Sequence, residues 1–219
     1  MKAEFWLERW QRNEIGFHQG EINAHLQEYW ARVGLKPGSE VFVPLCGKSN
    51  DMLWLRSQEH RVMGVEISPL AVEAFFVENE LKPEVRSVGP FERWSCDGVT
   101  IFCGDFFDLE AADLKGIAGV YDRASLVALP LDMREQYAQH LQRILPAAAP
   151  MLLVTMDYPQ SEMHGPPFAV VEDEVRHFYG THYDIERLFA LDILGETPRF
   201  RDGGVTRLEE VVYSLHPRR

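Results

Sequence analysis

Four short polar or turn-forming segments carry residue types able to hold a nucleotide and a reacting group: Pro44–Ser49, Glu66, Gly104-Asp105 and Asp122-Arg123. Glu66 ends an apolar run and lies nineteen residues beyond Gly47. At that spacing an acid closing a second strand can accept both hydroxyls of a ribose. The first loop, Pro-Leu-Cys-Gly-Lys-Ser, has one glycine and lacks the G-x-G-x-x-G pyrophosphate cradle. It is not a P-loop either, because Phe42 stands where the first glycine is needed. A nucleoside without phosphates fits better, and S-adenosylmethionine is the common one. Taken singly, Glu66 reads equally as a solvated turn residue or as an acid complementing a helix N-terminus. Asp105 is just as ambiguous alone. Three such strand ends in register favour a site.

Other chemistry-bearing residues have blander readings. Cys46 could be a nucleophile, but no histidine partner stands at a readable spacing, which favours a packed loop thiol. The eight histidines form no H-x-x-x-H or H-E-x-x-H helix, which argues against a metal site. By spacing alone, Trp6 and Trp10 at i, i+4 read as core. Pro159 to Phe168 reads as a surface loop or, with its Gly-Pro-Pro-Phe end, as an active-site lid.

The elements that must position these residues follow from periodicity. Phe5, Trp6, Arg9, Trp10 and Asn13 share one side of a helix, and Ile22, Leu26, Tyr29, Trp30 and Val33 share one side of a second. Gly16–Gly20 joins them. Short apolar runs at 40–43, 61–65, 99–103, 117–121 and 151–156 read as strands; the last is apolar on both faces, as a central parallel strand must be. Between them, Ser49 is expected to cap a helix through Leu55, and Ser68-Pro69 to open one through Glu78. Asp132-x-x-Glu135 reads as a capping box for a helix to Leu145. A short helix is expected at 172–179, and two late strands around 188–194 and 208–215. Strands alternating with helices predict an α/β, doubly wound, mostly parallel sheet, and the late pair predicts an antiparallel edge. Ligands of such sheets sit beyond the carboxyl ends of the strands, which is where the four segments fall. With no repeat or linker, the chain reads as one domain: a helical cover at 1–35 and a core at 40–219.

The chain has 219 residues with a net charge of −12, and 46% of its residues are hydrophobic. The acidic balance argues against a nucleic-acid binder that tracks phosphates. No apolar run reaches the ~20 residues that cross a bilayer. The start, Met1-Lys2-Ala3-Glu4, lacks the pattern of a secretion signal. Cys46, Cys96 and Cys103 form no C-x-x-C pair, which suits a reducing cytoplasm. A monomer with no membrane or nucleic-acid partner is expected.

Seven segments together resemble the bacterial thiopurine S-methyltransferases: Trp6-x-x-x-Trp10, Gly16-Phe17-His18, Val43-Pro44-Leu45-Cys46-Gly47-Lys48-Ser49-x-Asp51-Met52, Gly64-Val65-Glu66, Gly104-Asp105-Phe106-Phe107, Tyr121-Asp122-Arg123-Ala124-x-Leu126-Val127-Ala128-Leu129-Pro130 and Gly165-Pro166-Pro167-Phe168. The resemblance spans nearly the whole chain. It implies a class I methyltransferase fold, Rossmann-like, with a seven-stranded sheet containing one antiparallel strand. It also implies transfer of a methyl group from S-adenosylmethionine to a sulfur nucleophile, leaving S-adenosylhomocysteine. By motif, Trp10, Leu45, Glu66 and Arg123 resemble the family's cofactor contacts, and Trp10 moves from core to cover. Gly104, Asp105 and Phe106 would border the adenine, and Phe17, His18, Pro167 and Phe168 the acceptor pocket. Arg123 would contact the cofactor or favour a bound thiolate, with no dedicated general base. Bacterial members are also associated with selenium and tellurium compounds. Arg199, Arg201 and Arg207 are all candidates for a second arginine facing the substrate. The rival readings are a methyltransferase for halide or small alkyl thiols, a non-catalytic cofactor sensor and, third, a nicotinamide dehydrogenase.

Overall fold

The structure is a computed structural model that describes residues 3–16, 18–147 and 149–218. Its centre is the parallel set β1 (Glu40–Val43), β2 (Arg61–Glu66), β5 (Val99–Cys103), β6 (Ile117–Arg123) and β7 (Met151–Asp157). These strands are short and Val/Ile/Leu-rich because both faces are covered; Val41, Phe42, Val65, Ile101, Val120 and Leu152 are fully buried. On one face pack α5 (Leu131–Ile144) and α6 (Glu172–Tyr179), through Tyr137, Leu141, Val175 and Tyr179. On the other pack α2 (Ala24–Tyr29), α3 (Asp51–Ser57) and α4 (Pro69–Glu78), through Leu26, Met52, Leu55 and Phe75. Helix α1 (Ala3–Gln11) precedes them and buries no residue fully.

The complete sheet has nine strands, ordered β3-β4-β5-β2-β1-β6-β7-β9-β8, with β3 (Glu84–Val88), β4 (Phe91–Cys96), β8 (Tyr183–Asp192) and β9 (Glu209–Pro217). The seven strands from β5 to β8 match the expected sheet, with β9 running against both neighbours. Two features differ from the expected sheet. The β3–β4 hairpin is an addition that makes β4 a second reversed strand. Its residues Glu84, Arg86, Glu92 and Arg93 lie at a solvated edge, every residue of β3 is exposed, and no apolar run signals it. The antiparallel strand β9 is also not at the edge. It lies inside, between β7 and β8, which explains its buried run from Val211 to Leu215.

Two expected caps shift. Helix α5 starts at Leu131 after Pro130 with no side-chain cap, so Asp132 only complements the dipole in the first turn. The Ser49 hydroxyl accepts from the Asp51 amide (3.2 Å), one residue ahead of the capping position that Asn50 occupies. Ser68 caps α4 as expected, accepting from the Ala71 amide with Pro69 at the first helical position.

A small third cluster, Tyr158, Ala169, Phe200, Val205 and Leu208, packs α7 (Pro198–Asp202) against the segment after β7. It brings the Gly-Pro-Pro-Phe segment to the carboxyl end of the sheet.

Candidate active site

The carboxyl ends of β1, β2, β6 and β7 open into one cavity of about 350 Å3, within the range of small-molecule sites. Two strand ends turn into it with left-handed backbone at residues that carry side chains, Leu45 (φ 44°) and Ala124 (φ 66°). That conformation is disfavoured wherever a Cβ is present and persists only when the surroundings impose it, a condition common at binding sites. Gly47 follows in the same region (φ 52°), and the Trp10 ring lies over it, 3.4 Å from where a Cβ would stand.

Glu66 is 6% exposed, and its carboxylate is already ordered by main chain. Oε2 accepts from the Gly47 amide (2.9 Å) and Oε1 from the Ser68 amide (2.8 Å). Burial pushes its pKa above the ordinary glutamate value, against the pull of the Ser68, Gly47 and Ile67 amides. A carboxylate oxygen has two lone pairs, so each oxygen keeps one for a further donor. The geometry therefore leaves a bidentate acceptor on the cavity wall.

Arg123 and Asp122 part company because successive strand residues face opposite sides of a sheet. Arg123 turns into the cavity and pairs with Asp51 of α3 (Nη1–Oδ2 3.5 Å), with its side chain only 14% exposed. Asp122 faces α5, where the Tyr137 hydroxyl donates to Oδ2 (2.7 Å). Asp122 is thus not the ion partner of Arg123. Burial lifts the Asp122 carboxyl to about 6 from 3.8, partly offset by the donors of Tyr137 and Ser125. A raised folded pKa means that the native state binds more protons than the unfolded chain between those two values. This contribution is present below pH 4 and is lost as pH rises through about 6, at a cost of about 3 kcal/mol. Asp122→Asn keeps an acceptor for Tyr137 and removes the titration. Urea unfolding should show the variant gaining on the parent by about that amount between pH 4 and pH 7. Parallel stability curves for the two proteins would refute the assignment.

The remaining walls come from three segments. Trp6 and Trp10 of α1 and His18 after it close one side, and burial, with the Lys48 charge second, lowers the pKa of His18 from its usual 6.5. Pro166 and Pro167 close another. Their segment is stitched to the body: Tyr158 donates to the Pro167 carbonyl (2.6 Å), the Phe168 amide to Val127 (2.6 Å) and Arg199 to Pro166 (2.9 Å). Glu210 of β9 completes the floor and accepts from His25 Nε2 (2.8 Å).

Trp10, His18, Leu45, Glu66, Arg123 and Pro167 thus meet in one cavity, whereas Gly104, Asp105, Phe106 and Phe168 do not line it. The Asp105 carboxylate accepts from the Phe107 amide (2.9 Å). The Phe106 ring is buried against Tyr137 (4.7 Å). Gly104 donates to the Glu66 carbonyl (2.9 Å), and a Cβ there would stand 2.5 Å from the Phe91 ring. Phe168 folds back on Gly165. Phe17 lies outside the described residues. Of the three arginine candidates, Arg199 lines the cavity, Arg201 pairs with Asp202, and Arg207 bridges Asp157 (2.7 Å) and Glu209 (2.8 Å). Asp51, Tyr121 and Glu210 carry no role in the sequence reading. Cys46 and Cys103 are free thiols whose pKa values burial raises, Cys103 to about 11, so neither is poised as a nucleophile. Among the described residues no cluster of His, Cys, Asp and Glu could hold a metal, and no helix is long and apolar enough to cross a membrane.

The fold is shared with solved methyltransferase structures, and the sequence has relatives along its whole length. The profile of the thiopurine S-methyltransferase family matches residues 1–218. A thiopurine S-methyltransferase of Nitrosospira multiformis is 54% identical over 218 residues, covering 100% of this chain and 99% of the relative. One from Azotobacter vinelandii is 50% identical over 218 residues, covering 100% of both. A solved structure of a Burkholderia thailandensis 1,6-didemethyltoxoflavin-N1-methyltransferase with bound S-adenosylhomocysteine superimposes with a TM-score of 0.64 at 13% identity. It covers 99% of this chain and 87% of that one, a likeness of fold. The chain belongs to the thiopurine S-methyltransferase family and is an S-adenosylmethionine-dependent methyltransferase.

Proposed function

We propose that this methyltransferase acts on the sulfur of a heterocyclic thiol, with thiopurines as the acceptor class. The observation that carries the reading is Arg123, a nearly buried guanidinium aimed into a cavity whose other walls include Trp6, Trp10, Pro166 and Pro167. A cation in such a place favours the thiolate over the thiol, because a nearby opposite charge lowers an acid's pKa. Arg199, which also lines the cavity and is bonded to Pro166, offers a second donor to a polar edge of the acceptor.

S-adenosylmethionine, when bound, supplies a methyl group already activated by the sulfonium charge. The residues present suit it: Glu66 offers two free lone pairs to a ribose diol, and the turn at Leu45–Gly47 offers main chain beside them. Gly104, Asp105 and Phe106 are assigned to the adenine side through main chain. The Asp105 carboxylate and the Phe106 ring are already engaged elsewhere, and Gly104 is bonded to the Glu66 strand end. The protein's task is then alignment and exclusion of water. Trp10 and His18 cover the cavity from the N-terminal side; Phe17 and Phe168 are assigned to the same apolar enclosure on the motif alone. Selenium and tellurium nucleophiles, softer atoms of the same group, fall within the proposed scope. The unbonded thiols suit a reducing cytoplasm, and the reading is of a monomer.

The test is competition. Purified protein with labelled S-adenosylmethionine is offered 6-mercaptopurine, iodide, hydrogen sulfide and selenite together. The expected result is label recovered mainly as the S-methylated purine. Label on iodide or sulfide with none on the purine would assign the site to small nucleophiles, and no transfer in a single turnover would leave only a binding role.

A further inference from the structure

Asp51 is 2% exposed and lies where three elements meet. Its Oδ1 accepts the backbone N–H of Asn23 (2.8 Å), and its Oδ2 accepts the Tyr121 hydroxyl (3.0 Å) and pairs with Arg123 (3.5 Å). Asn23 in turn caps α2, its side chain accepting from the Leu26 amide (3.1 Å). One carboxylate therefore joins the first residue of α3, the cavity end of β6 and the point at which the N-terminal segment enters α2.

We propose that Asp51 is a positioning residue of the acceptor site, holding the Arg123 guanidinium in the cavity and tying it to the segment that carries Trp10 and His18. The inference rests on the reading that Arg123 faces the thiol. Arginine has many rotamers, and a guanidinium left without a fixed partner would wander over the cavity rather than present one face to a sulfur. The carboxylate is itself fixed by two hydrogen bonds that do not involve Arg123, so the pair is anchored from the Asp51 side. The other charged or titratable groups sharing the cavity are His18, Cys46 and Lys48 near the cofactor loop, Tyr121 on the same strand, Glu66, Arg199 and Glu210. Lys48 is committed to Glu78 (2.7 Å), Arg199 to Pro166 and Glu210 to His25.

The experiment reads the bound thiol directly. The ultraviolet spectrum of 6-mercaptopurine changes on ionisation, so its pKa can be titrated on the protein saturated with S-adenosylhomocysteine. In the parent, the bound thiol should titrate roughly one unit or more below the free compound. Removing the Asp51 negative charge would by itself enlarge that shift, so the positioning role is read from the opposite result. In Asp51→Asn the shift should fall by more than half, with S-adenosylhomocysteine affinity kept within about twofold and acceptor kcat/KM lowered about tenfold. Asp51→Asn combined with Arg123→Met should be no worse than Arg123→Met alone, because both changes remove one interaction. A full parental shift in Asp51→Asn, or losses that multiply in the double variant, would overturn the proposal. If Asp51→Asn does not fold, Asp51→Glu keeps the charge one methylene away. An intermediate shift is then expected, and an unchanged one counts against the role. If the parent does not bind 6-mercaptopurine at all, the acceptor reading fails separately. The positioning role is then decided by the NMR signal of the Arg123 side-chain Nε–H in ligand-free protein. That signal should be sharp in the parent and broadened or lost in Asp51→Asn, and identical signals would refute the role.

Discussion

Glu66→Gln should weaken S-adenosylhomocysteine and S-adenosylmethionine binding by about 1.5–3 kcal/mol, roughly tenfold to a hundredfold, while the protein still folds. Two effects add. A charge-assisted acceptor for a ribose diol becomes a neutral amide. In addition, both Glu66 oxygens accept backbone amides, from Gly47 and Ser68, so the new Nε2 must turn a donor toward one of them. One amide then loses its partner, and the turn at Leu45–Gly47, strained by its left-handed backbone, loses a constraint. Because burial raises the carboxyl's pKa, cofactor affinity should also begin to fall on acidification at a higher pH than a solvated glutamate would cause. In Glu66→Gln that pH dependence should vanish. Calorimetric titration with S-adenosylhomocysteine at several pH values reads both effects. An affinity that matches the parent at neutral pH would remove Glu66 from the cofactor site.

What could be read beforehand was whatever leaves a local mark on the chain. Parallel strands covered on both faces become apolar runs such as Met151–Met156, and Ser68-Pro69 is a helix start with a mechanism behind it, so the core of the sheet and α4 were legible. Glu66 and Arg123 were legible because a polar residue that ends a buried run has few other reasons to be there. The β3–β4 hairpin left no such mark: at a solvated edge Glu84, Arg86, Glu92 and Arg93 satisfy themselves in water, and the pattern carries charge instead of alternation. Register was the other blind spot. Asp105 and Phe106 follow a strand end just as Glu66 does, yet the carboxylate caps the next turn and the ring enters the core beside Tyr137. Spacing predicts which strand end a residue occupies, not which face it takes. The same holds for Asp122 and Arg123, adjacent in sequence and on opposite sides of the sheet. Asp51 is the harder case, since its partners Asn23, Tyr121 and Arg123 are 28, 70 and 72 positions away, and only the assembled fold reveals what it holds. The choice among Arg199, Arg201 and Arg207 is alike: residues of one type near one another in the chain are separated by the carboxylates that claim two of them.

Arg123→Met should lower acceptor-side kcat/KM by roughly tenfold to a hundredfold, most strongly at pH values below the free acceptor's pKa. The effect depends on which form of the thiol the protein must gather. Below its free pKa a thiol is mostly protonated, and a fixed guanidinium shifts the bound equilibrium toward the nucleophilic thiolate. Without it, only the small thiolate fraction present in solution can react. Above the free pKa the thiolate is abundant anyway, so the deficit should shrink toward whatever part Arg123 contributes by orientation. Arg123→Lys should rescue the acid limb only in part, since it keeps a charge but not the planar fork. The structure adds a consequence for stability. Asp51 is 2% exposed and would lose the cation it pairs with, though it keeps the Asn23 amide and the Tyr121 hydroxyl. A loss of about 1–3 kcal/mol in unfolding free energy is therefore expected for the methionine variant and less for lysine. Because of it, rates must be compared at a temperature where both variants are folded. The competing role for Arg123 is to orient the cofactor, which predicts weaker S-adenosylmethionine binding and a loss that does not change with pH. At saturating cofactor the two separate. A deficit that narrows from acid to alkaline pH assigns Arg123 to the thiolate, and one that stays constant assigns it to the cofactor.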